Sequence, residues 1–431
     1  MNYRETVEYL FATTPSFQTV GADAYKPGLE RVAEFCRALG NPQDNFLTIH
    51  VAGTNGKGST SHMLASILQH AGYRVGLFTS PHLKDFRERM RVDGQMISEQ
   101  RVVEFVAHHR ERMRSLDLSF FEMTTAMAFD FFSDSDVEVA VIETGLGGRL
   151  DATNIIHPIL SIVTNIGMDH TDLLGDTLPA IAREKAGIIK RGVPVVLGES
   201  SEEYDSVFEN RAAELSSRVI YAQRDIQLLE QDVAERGQRF EICRCRDGHR
   251  FSVEIDLRGE YQRHNVLTVA SAADYLDCHT PITISRRAFL DGMATASATT
   301  SLAGRWQRLG EKPFVVCDTG HNAHGFRYVA AQLAELLERH TSLYCVIGFA
   351  RDKEIDKVLQ ILPNKAHYIF TQAATPRALP ADELAEKAAQ AGLRGEVQPS
   401  VAEAMARARE LAHEEDAIFV GGSNYVVAEI L

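Results

Sequence analysis

The chain has no apolar run that approaches the roughly 18 residues of a helical membrane span, which excludes one. Met1 to Leu10 has no apolar core of the kind a secretory leader needs, so no leader is expected there. The six cysteines (Cys36, Cys243, Cys245, Cys278, Cys317 and Cys345) show no zinc-ligand spacing. Cys243 and Cys245 fall on one face of an expected strand and read as two buried thiols. A reduced, cytoplasmic protein fits that usage. Basic charge is short: 45 Lys and Arg stand against 59 Asp and Glu, a net −14. That argues against a general nucleic-acid binder, which would carry a basic face. It leaves room for anionic ligands held in a local positive pocket. Internal repeats and low-complexity tracts are also absent.

What is present suits two domains. The chain has 431 residues, 45% of them hydrophobic and 24% charged, which is enough apolar material for sizeable cores. The densest chemistry lies in Val51-Ala52-Gly53-Thr54-Asn55-Gly56-Lys57-Gly58-Ser59-Thr60. An apolar run from Phe46 to Ala52 reads as a buried strand leading in. A helical pattern from Ser59 places Met63, Leu64, Ile67 and Leu68 on one face, with Gly72 as a left-handed cap. Strand, glycine loop and helix bind phosphate through inward N–H groups, the positive helix end and a lysine. Lys57 is that lysine, and Ser59 or Thr60 offers a hydroxyl near a metal. Gly58 separates lysine from hydroxyl, unlike the usual phosphate-loop pattern. The bland alternative is a glycine turn that binds nothing.

Further along, apolar runs alternate with helical patterns, which predicts a mostly parallel, doubly wound sheet. Strands are expected at 75–79, 137–142, 159–164 and 193–197. Helices are expected within 26–40 (a pattern opening at Tyr25), at 99–114, at 122–132 and from Thr177. Residues 218–257 alternate in short runs around Arg246-Asp247-Gly248, which predicts a small antiparallel patch. A helix is expected from His264 to Leu276. The small, polar stretch Ala294 to Ser301 is the best linker candidate. Beyond it, strands at 314–317, 343–347, 367–370 and 417–420 predict a second, smaller Rossmann-like α/β domain. The expected division is residues 1–296 and 297–431.

Several polar residues follow strand ends, where open α/β sheets bind ligands. Ser80 and His82 lie in Thr79-Ser80-Pro81-His82-Leu83. Glu143 opens Glu143-Thr144-Gly145-Leu146-Gly147-Gly148, and His170 closes Asn165-Ile166-Gly167-Met168-Asp169-His170. Mg²⁺ takes a few carboxylate or hydroxyl oxygens and leaves other positions to phosphate and water, so Glu143 could serve one ion or two. Taken singly, a histidine is more often a satisfied one and a glutamate after a strand more often a cap. Arg149 and Asp151 could hold the glycine loop by an ion pair. Lys185 reads as an ordinary exposed helix lysine. In the second domain, Asp318 and Arg305 could meet a nucleotide, the arginine through its planar fork. Asp318 could equally be a helix N-cap.

These motifs resemble, in order and over nearly the whole length, the bacterial folylpolyglutamate synthases, often bifunctional as dihydrofolate synthases, within the Mur ligase superfamily. The matching segments are Gly53–Ser59, Thr79–Leu83, Phe121–Thr125, Glu143–Asn154, Thr164–His170, Glu184–Ile188, Gly259–Asn265, Gly304–Arg305 and Asp318–Asn322. The resemblance implies an ATP-dependent amide ligase that joins L-glutamate to folate or dihydropteroate through an acyl phosphate. By resemblance, Asn55, Gly56, Lys57, Gly58, Ser59 and Thr60 bind ATP, with Asn265, Arg305, Asp318 and His321. Ser80 and Glu143 hold one Mg²⁺ and His170 helps hold a second. Lys185 matches a position that the family carbamylates. Pro81, His82, Phe121 and Thr125 are the pterin candidates. A monomer is implied, with no nucleic-acid or membrane partner. Tyr261 stands where the family usually has histidine. The rivals are a Mur-type ligase acting on a peptidoglycan precursor and a nucleotide switch without catalysis.

Overall fold

The computed structural model describes residues 1–14, 26–351 and 355–431. Tyr25 lies outside them. The chain divides into two compact units. The first holds 1–256 and 262–302, the second 257–261 and 303–431.

The first unit is built on a sheet of eight strands. They are β1 (Leu47–Ala52), β2 (Val75–Phe78), β3 (Met90–Val92), β4 (Gln95–Met96), β5 (Val139–Glu143), β6 (Leu160–Val163), β7 (Val195–Leu197) and β8 (Val219–Tyr221). Their order is β4-β3-β2-β5-β1-β6-β7-β8. Pairing is parallel from β2 to β8, and β3 and β4 add an antiparallel edge. β1 lies between β5 and β6, so the chain winds to one side of β1 and then to the other. Such a switch point leaves a crevice beyond the strand ends. β1, β5 and β6 are almost wholly buried on both faces, as covered parallel strands are, with Thr48, His50 and Ser161 as buried polar residues among apolar ones.

Helix Lys57–His70 follows β1. Its C-terminus is the one the sequence predicts: Gly72 has φ +92°. The Gly72 N–H reaches Gln69 O at 3.0 Å and the Tyr73 N–H reaches Leu68 O at 3.2 Å, the paired bonds of a left-handed cap. Its start falls earlier than expected, at Lys57, because Gly56 takes the left-handed turn at φ +81°.

A separate antiparallel patch holds β9 (Ile226–Val233), β10 (Gln238–Arg244) and β11 (His249–Ile255). The hairpin turn falls at 245–248, as read. The cysteine reading is corrected here. Cys245 lies beyond the end of β10 and is exposed, and Cys243 is only half-buried.

The linker reading is also corrected. Residues Ala296–Thr300 form a short helix within the first unit, with Ala296 and Thr300 fully buried. Thr300 Oγ1 meets His62 Nδ1 at 2.7 Å, and Asp256 accepts from the amides of Ser297 and Ala298 at 3.0 and 2.9 Å. Small side chains serve close packing here, not flexibility.

The second unit has a six-stranded sheet. Its strands are β12 (Gln307–Glu311), β13 (Phe314–Asp318), β14 (Leu343–Ile347), β15 (His367–Phe370), β16 (Gly395–Val397) and β17 (Ala417–Gly421), ordered β12-β13-β17-β14-β15-β16. β13 to β16 are parallel and β12 is an antiparallel edge. Among the described residues, no helix is long and apolar enough to cross a membrane.

Candidate active site

The phosphate loop is tied to the loop after β6. Thr54 N–H donates to Asn165 O at 3.0 Å, and Asn55 N–H donates to Asn165 Oδ1 at 2.9 Å. Thr164 Oγ1 donates to Asn55 O at 2.6 Å. A Cβ on Gly53 would collide with the Thr164 hydroxyl, which is why glycine is required there. No side chain caps the helix that begins at Lys57. First-turn N–H groups lack intrahelical partners and a macrodipole adds positive charge, so this end suits phosphate.

Two lysines converge on one carbonyl. Lys57 Nζ lies 3.0 Å from Gly53 O, and Lys185 Nζ lies 2.9 Å from the same oxygen. The exposed reading of Lys185 is corrected: it is 3% exposed. Burial, then the charge of Lys57, lowers its pKa from 10.5 to about 7. Backbone packing puts it there. Helix Leu178–Ala186 lies so close to the glycine loop that a Cβ on Gly148 would meet Glu184 O at 2.9 Å and Lys185 Cα at 3.1 Å. Arg149 N–H donates to Glu184 O at 2.7 Å.

Glu143 ends β5, is 3% exposed and accepts from the Ser80 N–H at 3.2 Å. The expected Arg149–Asp151 pair does not form. Arg149 bonds Glu184 at 2.9 Å. Buried Asp151 instead accepts from the amides of Gly145 and Leu146, both at 2.8 Å, and of Thr153 at 3.0 Å. Three backbone donors satisfy the carboxylate where a cation was expected, and they fix the loop after Glu143. His170 has φ +52° and starts a short helix, with Nε2 3.8 Å from Asp169 Oδ2.

Carboxylate and hydroxyl groups, the donor types that a hard cation takes, stand at this edge in Glu143 and Ser80. Glu143 and Ser80 are neighbours at the sheet edge, joined through the Ser80 N–H, and Mg²⁺ takes few protein oxygens and leaves several positions to phosphate and water. Among the described residues, no three His, Cys, Asp or Glu side chains cluster in a way that could hold a metal ion alone. Substrate oxygens would have to complete the shell.

The helix Gln262–His279 packs on the phosphate-loop helix. Asn265 Oδ1 occupies the space that a Cβ on Gly56 would need. Gln262, which sequence reading did not select, donates to Ser59 Oγ at 3.3 Å and accepts from Asn265 Nδ2 at 2.8 Å. Its spacing to Asn265, one turn on, was the available signal. Gly58 lies in the helix's first turn, and Thr60 Oγ1 is buried with no hydrogen-bond partner.

The pterin candidates are less uniform. Phe121 fills the space beside Gly145, where a Cβ would lie 2.5 Å from the ring. Thr125 Oγ1 is fully buried without a hydrogen-bond partner. Pro81 is exposed. His82 Nδ1 accepts from Arg89 Nε at 2.7 Å, and burial holds its pKa well below 6.5. His82 is therefore a neutral acceptor packed against Phe11 and Phe86.

In the second unit, the N-cap of the helix Ala323–Arg339 is Asn322, so the capping alternative for Asp318 is excluded. Asp318 accepts from Tyr261 Oη at 2.6 Å and from the amides of Trp306 at 2.8 Å and Gly320 at 2.7 Å. Burial raises its pKa against those bonds. Arg305 Nη1 bonds Thr319 Oγ1, and His321 Nδ1 lies 3.1 Å from Thr319 O.

Residues 51–273 match the Mur ligase middle domain, and residues 304–424 match the Mur ligase glutamate ligase domain. The folylpolyglutamate synthase of Lacticaseibacillus casei is 32% identical over 439 residues, covering 100% of this chain and 98% of that one. The chain belongs to the folylpolyglutamate synthase branch of the Mur ligases. Escherichia coli FolC in complex with DHPP and ADP superposes on this ligase with a TM-score of 0.83 at 30% identity, covering 100% and 97% of the two chains. A bifunctional folylpolyglutamate synthase/dihydrofolate synthase with Mn, AMPPNP and L-glutamate bound gives 0.83 at 28% identity, covering 100% and 97%.

Proposed function

We propose that this Mur ligase adds L-glutamate to a folate-type carboxylate, dihydropteroate or a tetrahydrofolate polyglutamate, and converts ATP to ADP and phosphate. The observation that carries this reading is the convergence of Lys57 and Lys185 on Gly53 O, beside a phosphate loop tied to β6. A carboxylate oxygen of the pterin substrate attacks the γ-phosphorus, the bridging P–O bond breaks, and ADP leaves. The glutamate amine then attacks the acyl carbon, expels phosphate and loses a proton.

The chain's part is binding, orientation and charge. Lys57 and the first-turn amides of its helix neutralise the phosphates, with Asn55, Gly56, Gly58, Ser59, Thr60 and Asn265 around them. Arg305, Asp318 and His321 are the second unit's nucleotide candidates. Bound Mg²⁺ would supply charge neutralisation on the transferred phosphoryl group. Ser80 and Glu143 would hold one ion and His170 a second. We assign Lys185 as the site of a carbamate, formed when its amine adds to CO₂ and loses a proton. Burial beside Lys57 supports this, because it lowers the Lys185 pKa to about 7, which leaves a share of the amine neutral and able to add to CO₂, and the Lys57 cation would face the carbamate's charge. Thr125 supports a pterin role, since a buried hydroxyl left unpaired costs about 1–3 kcal/mol that a ligand bond would recover.

The test is phosphate release from ATP and L-glutamate, with dihydropteroate and tetrahydrofolate offered separately. Activity with either is expected, and none with a peptidoglycan precursor. Silence with both pterins in metal-replete protein refutes the reading. Glu143→Ala is expected to lower kcat by at least a hundredfold, and wild-type rates would remove Glu143 from the metal assignment.

A further inference from the structure

A second positive concavity lies on the first unit, away from the phosphate loop. A cleft of about 310 Å³ opens between β8, the helix Gln262–His279 and the turn after β10. Four arginines line it (Arg218, Arg224, Arg244 and Arg246) against two carboxylates, Asp225 and Asp274.

The acids are already engaged. Asp274 pairs with Arg244 and with Arg246, each at 3.0 Å. Asp225 accepts from Ser271 Oγ at 3.2 Å. Arg244 is held a second time by Asp247 at 2.6 Å. Arg218 and Arg224 are placed differently. Arg224 lies 3.9 Å above the Tyr221 ring and Arg218 lies 5.5 Å above the Tyr275 ring. Both are exposed, and neither has an ion-pair partner among the described residues. Stacking on a ring orients a guanidinium while its N–H edge stays able to donate. That edge matches phosphate or carboxylate oxygens two at a time. In a chain of net charge −14, such a patch is a local reversal that would draw anions toward it.

The cleft is separate from the nucleotide site. Asn265 abuts Gly56, and Asp274 lies about 14 Å further along the same helix at roughly 1.5 Å per residue.

We propose that this cleft is a second anion site, which binds a small polyanion through the forks of Arg218 and Arg224. Inorganic phosphates and oligocarboxylates share that chemistry. The test is equilibrium dialysis of the full chain, carrying Lys57→Ala to weaken the phosphate loop, at constant ionic strength. The probes are pyrophosphate and, separately, tri-γ-glutamate. Saturable one-to-one binding of at least one is expected, weakened tenfold or more by Arg218→Gln with Arg224→Gln, and unchanged by Arg287→Gln. Binding of pyrophosphate alone assigns a phosphate ligand, and binding of tri-γ-glutamate alone assigns an oligocarboxylate. Equal affinity with and without the two arginines, or no saturable binding of either probe, overturns the proposal. Should the glutamine pair melt early, Arg218→Lys with Arg224→Lys is measured instead. It keeps the charge and removes the fork, so full retained affinity overturns the proposal.

Discussion

His50 in β1 holds the site together through a proton that it keeps. Its Nε2 lies 2.8 Å from Thr153 Oγ1, and that hydroxyl donates to Asp151 Oδ1 at 2.5 Å. The Thr153 proton is committed, so His50 must donate from Nε2, which leaves Nδ1 as a buried nitrogen without a hydrogen-bond partner. Protonating Nδ1 would bury a charge among apolar strands, near Lys190. Burial, then Lys190, lowers the pKa from 6.5 to about 3. The unfolded chain therefore binds this proton more readily between those values. The stability that neutral His50 contributes is complete above pH 6.5 and falls as pH drops toward 3. Between pH 7.5 and 4.5 the loss is on the order of 3 kcal/mol, at about 1.4 kcal/mol per pKa unit. Urea midpoints at the two pH values should show it, and His50→Gln should be less stable at pH 7.5 with a smaller fall. Equal falls in the two proteins would refute the assignment. None of this was legible in the sequence, where His50 is one polar residue in an apolar strand. Its role depends on Thr153 and Asp151, which reach it only through the fold. Lys185 escaped for the same reason. Helical spacing alone reads it as exposed, and only the close approach of the glycine loop buries it. Lys185→Arg, too long and too basic for the carbamate proposed here, should reduce phosphate release by a hundredfold or more and abolish any stimulation by bicarbonate. Unchanged bicarbonate dependence in that variant would refute the carbamate.

At the scale of elements, strands with a continuous apolar run were legible: β1, β5, β6, β14 and β17 lie where expected, within a residue or two. Edge strands were not. β12 reads Gln-Arg-Leu-Gly-Glu and β16 is Gly-Glu-Val, too polar or too short to show a period. The 294–301 stretch failed because small residues serve both linkers and tight helix contacts, and composition does not separate the two. The position of Lys185 rests on one such tight contact, between Gly148 and the helix Leu178–Ala186. Gly148→Ala would push a methyl against Glu184 O and Ile188 Cγ2, at 2.9 and 3.0 Å. Overpacking of this kind costs about 1–3 kcal/mol. The helix should shift and take Lys185 with it, so phosphate release should fall far more than the stability loss explains. A variant that melts earlier yet keeps full activity would show that Lys185 is not held by this contact.

The whole molecule is two compact units on one chain, each with more than one buried apolar cluster. Phe35, Phe105, Phe129 and Phe132 belong to one core in the first unit, and Trp306, Phe326, Phe349 and Phe419 belong to another in the second. The chain passes between units at 256/257, 261/262 and 302/303. Multidomain chains commonly depart from all-or-none unfolding. A probe is built in, because the sequence has one tryptophan. Trp306 is 6% exposed and packs 5.8 Å from Phe419. Its fluorescence therefore reports the second unit alone, while far-ultraviolet circular dichroism weights the larger first unit. In urea, the two signals should give different midpoints. Gly148→Ala should then lower the dichroism midpoint and leave the tryptophan midpoint within error, because the added methyl meets only residues of the first unit. Coincident transitions that move together in the variant would mean that the two units unfold as one cooperative body, and the division into independent units would fail.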